Sequence, residues 1–87
     1  MRYKILIVDD SYINRELLKE MLKDEYDILE AENGKKALEM IEHKEQIDGI
    51  LLDLIMPEIN GFGVIEELSK KGIMKKVPVM IISSEIS

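Results

Sequence analysis

Residues 5–11, Ile5-Leu6-Ile7-Val8-Asp9-Asp10-Ser11, run from four apolar residues straight into two adjacent acids. Three of the four are β-branched, and no polar residue alternates with them. The stretch from Tyr3 to Val8 therefore reads as a short strand buried on both faces, as in a parallel sheet. Burial alone gives such a strand no use for two carboxylates at its tip. A single Asp after a strand often serves only as a turn former or helix cap. The pair takes its meaning from the rest of the chain.

Downstream, strand and helix patterns alternate. Ile13, Leu17, Leu18, Met21 and Leu22 recur at helical spacing with charged residues between them, and Ser11 is placed to cap that helix. Tyr26 to Ala31 reads as a second, more polar strand suited to a sheet edge, punctuated by Asn33-Gly34. Lys35 to His43 is a short helix with Ala37, Leu38 and Ile41 inward. Gly49 to Asp53, "GILLD", is a third buried strand, and it too ends in an acid. After the loop "MPEINGF", with Asn60 as cap, Gly61 to Lys70 is a helix burying Val64, Ile65 and Leu68. Val77 to Ile82, "VPVMII", is a fourth strand, followed by Ser83. Short helices between buried strands imply parallel strands joined by right-handed βαβ units.

Composition narrows the class. The chain has 87 residues, which makes one domain, residues 1–87, the natural division. It is 46% hydrophobic and 34% charged, a globular balance. It has no cysteine, hence no disulfide framework and no thiolate metal site. No apolar run reaches the length of a membrane span, and the acids after the first strand do not resemble a signal-peptide cleavage site. The formal net charge of −6 argues against direct nucleic-acid binding through a basic surface. A cytoplasmic location fits these features. His43, the lysines at 70, 71, 75 and 76, and the scattered methionines read as solvated or packing residues.

The alternation gives the acids a common address. In an open parallel sheet the strands share a direction, and ligands bind in the crevice beyond their C-terminal ends. Asp9 and Asp10 follow the first strand, Asp53 closes the third, and Ser83 follows the fourth. Three carboxylates and a hydroxyl thus converge on one rim. At about 4 Å, two like charges repel by about 4 kcal/mol at an effective dielectric near 20. A hard divalent cation offsets that repulsion, and Mg²⁺ takes oxygen ligands of this kind. No histidine or cysteine accompanies the acids, which argues against zinc. An Mg²⁺ site beside a carboxylate suits phosphoryl chemistry, and the carboxylate can itself be the nucleophile.

At these residues the chain resembles the receiver domain of two-component response regulators. "KILIVDDS", "GILLDLIMPEINGF" and "VPVMIISSE" carry the resemblance, which covers essentially the whole chain. It implies an α/β, flavodoxin-like fold of order 2-1-3-4 over these strands. It implies that Asp53 accepts a phosphoryl group from a histidine kinase or phosphotransfer protein. Asp10 would ligate Mg²⁺ directly, Asp9 mainly through water, and Asp53 and the backbone carbonyl of Ile55 would complete the set. Ser83 would contact the phosphoryl oxygens and relay their presence. Met56-Pro57 and Gly61 would shape the neighbouring loop.

The family pattern has a fifth strand and two further helices that this sequence does not contain. With them go a lysine that pairs with the phosphoryl group and an aromatic switch residue. Lys4 is no replacement, since it lies at the other end of its strand. An uncovered fourth strand invites pairing. The expectation is self-association through that strand, exchange of elements with a second copy, or completion by another chain. Three functions compete. The first is a phosphoacceptor domain, not an enzyme in its own right. The second is a non-switching assembly module of receiver ancestry. The third is a phosphatase of the haloacid-dehalogenase type, which wants Asp-x-Asp where this chain has Asp9-Asp10-Ser11.

Overall fold

The computed structural model describes residues 2–43, 46–53, 61–72 and 76–82. Within them, four strands alternate with three helices: β1 (Lys4–Val8), α1 (Tyr12–Leu22), β2 (Asp27–Ala31), α2 (Gly34–Glu42), β3 (Gly49–Asp53), α3 (Gly61–Lys70) and β4 (Val79–Ile82). The strands form one parallel sheet of order β2-β1-β3-β4, the order that the receiver resemblance implies. The fourth strand starts two residues later than expected. Pro78 has no N–H for the ladder, but its carbonyl accepts from the Ile50 amide at 3.0 Å and leads the chain into β4.

The pleat divides the side chains between two faces. Leu6, Val8, Ala31, Ile50 and Leu52 point to the side closed by α2 and α3, where they meet Ala37, Val64 and Leu68. Each of these residues is at most 2% exposed. Burying one such Leu, Ile or Val fully contributes roughly 1.5–3 kcal/mol, so this face is the main store of stability. Ile5, Ile7, Leu51 and Met80 belong to the other face, since register partners share a side of the sheet. Among the described helices, α1 covers that side, and it packs only in part. Leu18 and Leu22 are half-buried, whereas Ile13, Leu17 and Met21 are exposed.

Local chemistry sets the helix ends. Ser11 caps α1 as expected, its hydroxyl accepting from the Asn14 amide at 3.2 Å. Asn33 caps α2, its side chain accepting from the Lys36 amide at 2.7 Å. The chain leaves α3 through Gly72, whose φ of 71° lies in the left-handed region that glycine adopts without steric penalty.

Candidate functional site

Asp9 is the residue after β1, and Asp53 is the last of β3. These strands are neighbours, with Val8 opposite Leu52, so their tips lie side by side. Carboxylate oxygens of Asp9, Asp10 and Asp53 all fall within 4.8 Å of one another. Asp9 and Asp53 are fully buried, and Asp10 is exposed. The convergence expected from strand ends is therefore present for all three acids. Ser83 and the Ile55 carbonyl lie outside the described residues.

Asp9 is fixed on several sides. Its amide donates to the Ala31 carbonyl at 3.1 Å, extending the β1–β2 ladder past the strand. Its Oδ1 accepts from the Ser11 amide at 2.9 Å, the local turn that short acidic side chains favour. Its Oδ2 is buried and has no hydrogen-bond partner among the described residues. Burial holds the Asp9 carboxyl above its ordinary pKa, and the charges of Asp53 and Asp10 add to the rise. The Ser11 amide opposes it, and Asn14 does so more weakly. A buried carboxylate oxygen without a donor is costly, and here it belongs to a cluster of like charge.

These features fit a hard cation. The three side chains offer oxygen alone, the donor type that Mg²⁺ takes together with its own waters, and one oxygen from each lies within 4.8 Å of the others. The chain's one histidine, His43, caps the far end of α2 and is exposed. Lys4 stands at the start of β1, at the opposite end of the strand from Asp9, as expected.

A family profile described as the response regulator receiver domain matches residues 5–87. The chain belongs to that receiver family. A two-component response regulator of Oryza sativa subsp. indica, ORR3, is 32% identical over 84 residues, covering 95% of this chain and 64% of the relative. The sensor histidine kinase CheAY of Helicobacter pylori is 33% identical over 87 residues, covering 98% of this chain but 11% of the kinase. Among solved structures, the Vibrio cholerae chemotaxis protein CheY4 superposes with a TM-score of 0.86 at 30% identity, over 100% of this chain and 72% of that one. The receiver domain of Francisella response regulator 1452 gives 0.86 at 30% identity, over 99% and 69%. The chain thus spans less than two-thirds of the length of the rice regulator.

The receiver rim contains two residues that sequence reading passed over. Arg15 looks like a polar spacer in the α1 pattern, and Glu30 looks like edge-strand polarity. Instead, Arg15 donates from Nη1 to the Asp9 carbonyl at 2.7 Å and from Nε to Glu30 Oε1 at 3.2 Å. The available hint was a cation near the N-terminal end of a helix, where the dipole disfavours positive charge.

Proposed function

We propose that this receiver is a Mg²⁺-dependent phosphoacceptor, with Asp53 as the residue that takes the phosphoryl group. The observation carrying this reading is the buried Oδ2 of Asp9, which has no hydrogen-bond partner among the described residues, beside Asp10 and Asp53. Such an arrangement is stable as a charged cluster only with a cation to receive it. Asp9, Asp10 and Asp53 are the residues that would hold Mg²⁺, with the Ile55 carbonyl as the ligand implied by family resemblance. Mg²⁺ would supply charge neutralisation for the oxygens of a transferring phosphoryl group.

The chain's own part is nucleophilic. A carboxylate oxygen of Asp53 attacks the phosphorus of a phosphohistidine on a histidine kinase or phosphotransfer protein. The new O–P bond forms as the P–N bond breaks, and the imidazole leaves with the bond's electron pair and takes up a proton. Asp53 sits at the end of a paired strand, which holds the nucleophile still. Ser83, one residue past β4, is assigned the contact to the phosphoryl oxygens. On this reading the domain catalyses at most its own phosphorylation and dephosphorylation, and it works in the cytoplasm. No helix among the described residues is long and apolar enough to cross a membrane. Beryllofluoride tests the site directly. Its ¹⁹F NMR signal should show a bound species that requires both Mg²⁺ and Asp53, and Asp53→Asn should lose it. A bound signal retained in Asp53→Asn, or none in the unaltered chain, contradicts the assignment.

A second element of the reading concerns β4. Among the described residues it has one strand neighbour, β3, and Met80 and Ile81 on it are 63% and 47% exposed. An apolar strand with a free edge pairs readily with another. The occupant we assign to it is β4 of a second copy, which extends the sheet across a two-fold axis. Sedimentation velocity should give a dimer that Ile81→Lys dissociates. A compact monomer in the unaltered chain would rule this pairing out.

A further inference from the structure

Arg15 stands in an unfavourable place for a cation. It lies one turn into α1, near the positive pole of the helix dipole. Its side chain is nevertheless only 12% exposed. Three contacts hold it there. Nη1 donates to the Asp9 carbonyl at 2.7 Å, and Nε donates to Glu30 Oε1 at 3.2 Å. The guanidinium carbon also lies 5.8 Å from the centre of the Tyr12 ring. Glu30, on β2, is steadied in turn by Lys19, whose Nζ is 3.7 Å from Oε2. One side chain thus ties β2, α1 and the β1–α1 junction together.

The carbonyl that Arg15 grips belongs to the peptide joining Asp9 to Asp10. That peptide is planar, so fixing its oxygen fixes how the chain enters Asp10. The bonds from Asp9 N–H to Ala31 and from Ser11 N–H to Oδ1 secure the remaining sides of Asp9. The guanidinium leaves Asp9 Oδ2 without a partner among the described residues. It therefore anchors the backbone of the acid pair and leaves that oxygen's place for a cation open.

We infer that Arg15, held by Glu30, is the positioning residue of the acid rim. It sets the Asp9–Asp10 peptide so that both carboxylates address one divalent cation. The inference rests on the metal reading above. Lysine at this position would keep the charge but lack the planar fork that reaches a carbonyl and a carboxylate at once.

Charge and positioning predict opposite signs. Removing a positive charge beside a cation site tightens cation binding by simple Coulomb attraction. Removing a group that orients metal ligands weakens binding, typically by about 10–100-fold. The decisive experiment is a Mg²⁺ titration of the ¹⁵N-labelled 87-residue chain at fixed ionic strength, read at the Asp10 and Ser11 amides. Arg15→Gln and Arg15→Lys should each weaken Mg²⁺ by about tenfold or more, while the core amides of Leu6 and Leu52 keep their positions. Unchanged or tighter binding in Arg15→Gln, or full retention in Arg15→Lys, overturns the positioning role and leaves the metal site standing. Absence of any Mg²⁺-dependent shift in the unaltered chain overturns the metal reading, and the positioning role with it. If Arg15→Gln does not fold, Arg15→Lys decides alone: weaker binding supports the role, and equal binding overturns it.

Discussion

On one side of the sheet, two helices close over the strands, and Leu6, Val8, Ile50 and Leu52 are each at most 2% exposed. On the side carried by Ile5, Ile7, Leu51 and Met80, Ile7 is completely buried, yet Met80 is 63% exposed. An apolar groove of about 510 Å³ opens there, lined by Tyr3, Ile5, Gly49, Leu51 and Met80 among others. Its walls come from the starts of the strands, whereas the three acids stand at or just beyond their C-terminal ends. This concavity and the chemistry thus lie at opposite ends of the sheet. Stability in this domain is concentrated on one face, and chemistry on one rim. The rim depends on the strands that the closed face holds in register, and not on the groove.

That contrast breaks most visibly in the core. Leu52→Ala removes a fully buried side chain from the closed face, one position before Asp53. It should destabilise the fold by about 2–5 kcal/mol, read by urea or thermal denaturation. Leu17→Ala on the open face, where the residue is 59% exposed, should stay within about 0.5 kcal/mol. Equal losses would mean that both faces are closed in solution.

The rim comes next in size. Mg²⁺ at about 100 times its dissociation constant should stabilise the domain by about 2.7 kcal/mol, and Asp9→Asn should abolish most of that gain. The same variant should raise the Tm at pH 7 when Mg²⁺ is absent. The sign follows from the raised pKa of Asp9, caused first by burial. The folded state holds this proton more tightly than the unfolded chain, so the stability that this group contributes is fully present below the ordinary value of 3.8. It is lost as pH rises through the higher folded value. Asn carries no such charge, and the Mg²⁺-free stability curve of the variant should be flatter across that window. An identical pH profile in the two proteins would remove Asp9 as the source of this dependence.

The smallest effect belongs to the surface. Lys71 Nζ meets Glu42 Oε1 at 2.7 Å, a short pair linking the residue after α3 to the end of α2. Both groups are solvated, and exposed pairs of this kind contribute little. Lys71→Ala should leave the denaturation midpoint unchanged within error. A clear loss would show that the α2–α3 junction is tighter than its exposure indicates.

The rim was legible in the sequence because burial and charge conflict there. An apolar run gains nothing for its own burial by ending in Asp9 and Asp10, or in Asp53, and strand alternation brings those ends together. The order of four strands followed from the same alternation joined to the family resemblance. The role of Arg15 was not legible, because its partners are a backbone carbonyl and a side chain fifteen residues away on β2. The division within α1 was hidden by a different effect. Five apolar residues at helical spacing describe a stripe wider than the line along which one helix touches a sheet. Leu18 and Leu22 lie on the contact side, and Ile13, Leu17 and Met21 fall outside it.

The central claim, that this rim accepts a phosphoryl group at Asp53, is tested most directly by intact mass. The chain is incubated with Mg²⁺ and acetyl phosphate, and the mass is read promptly because acyl phosphates hydrolyse. The account predicts one added phosphoryl group that requires Mg²⁺ and disappears in Asp53→Asn. No added mass in the unaltered chain, or an addition that persists in Asp53→Asn, would contradict it.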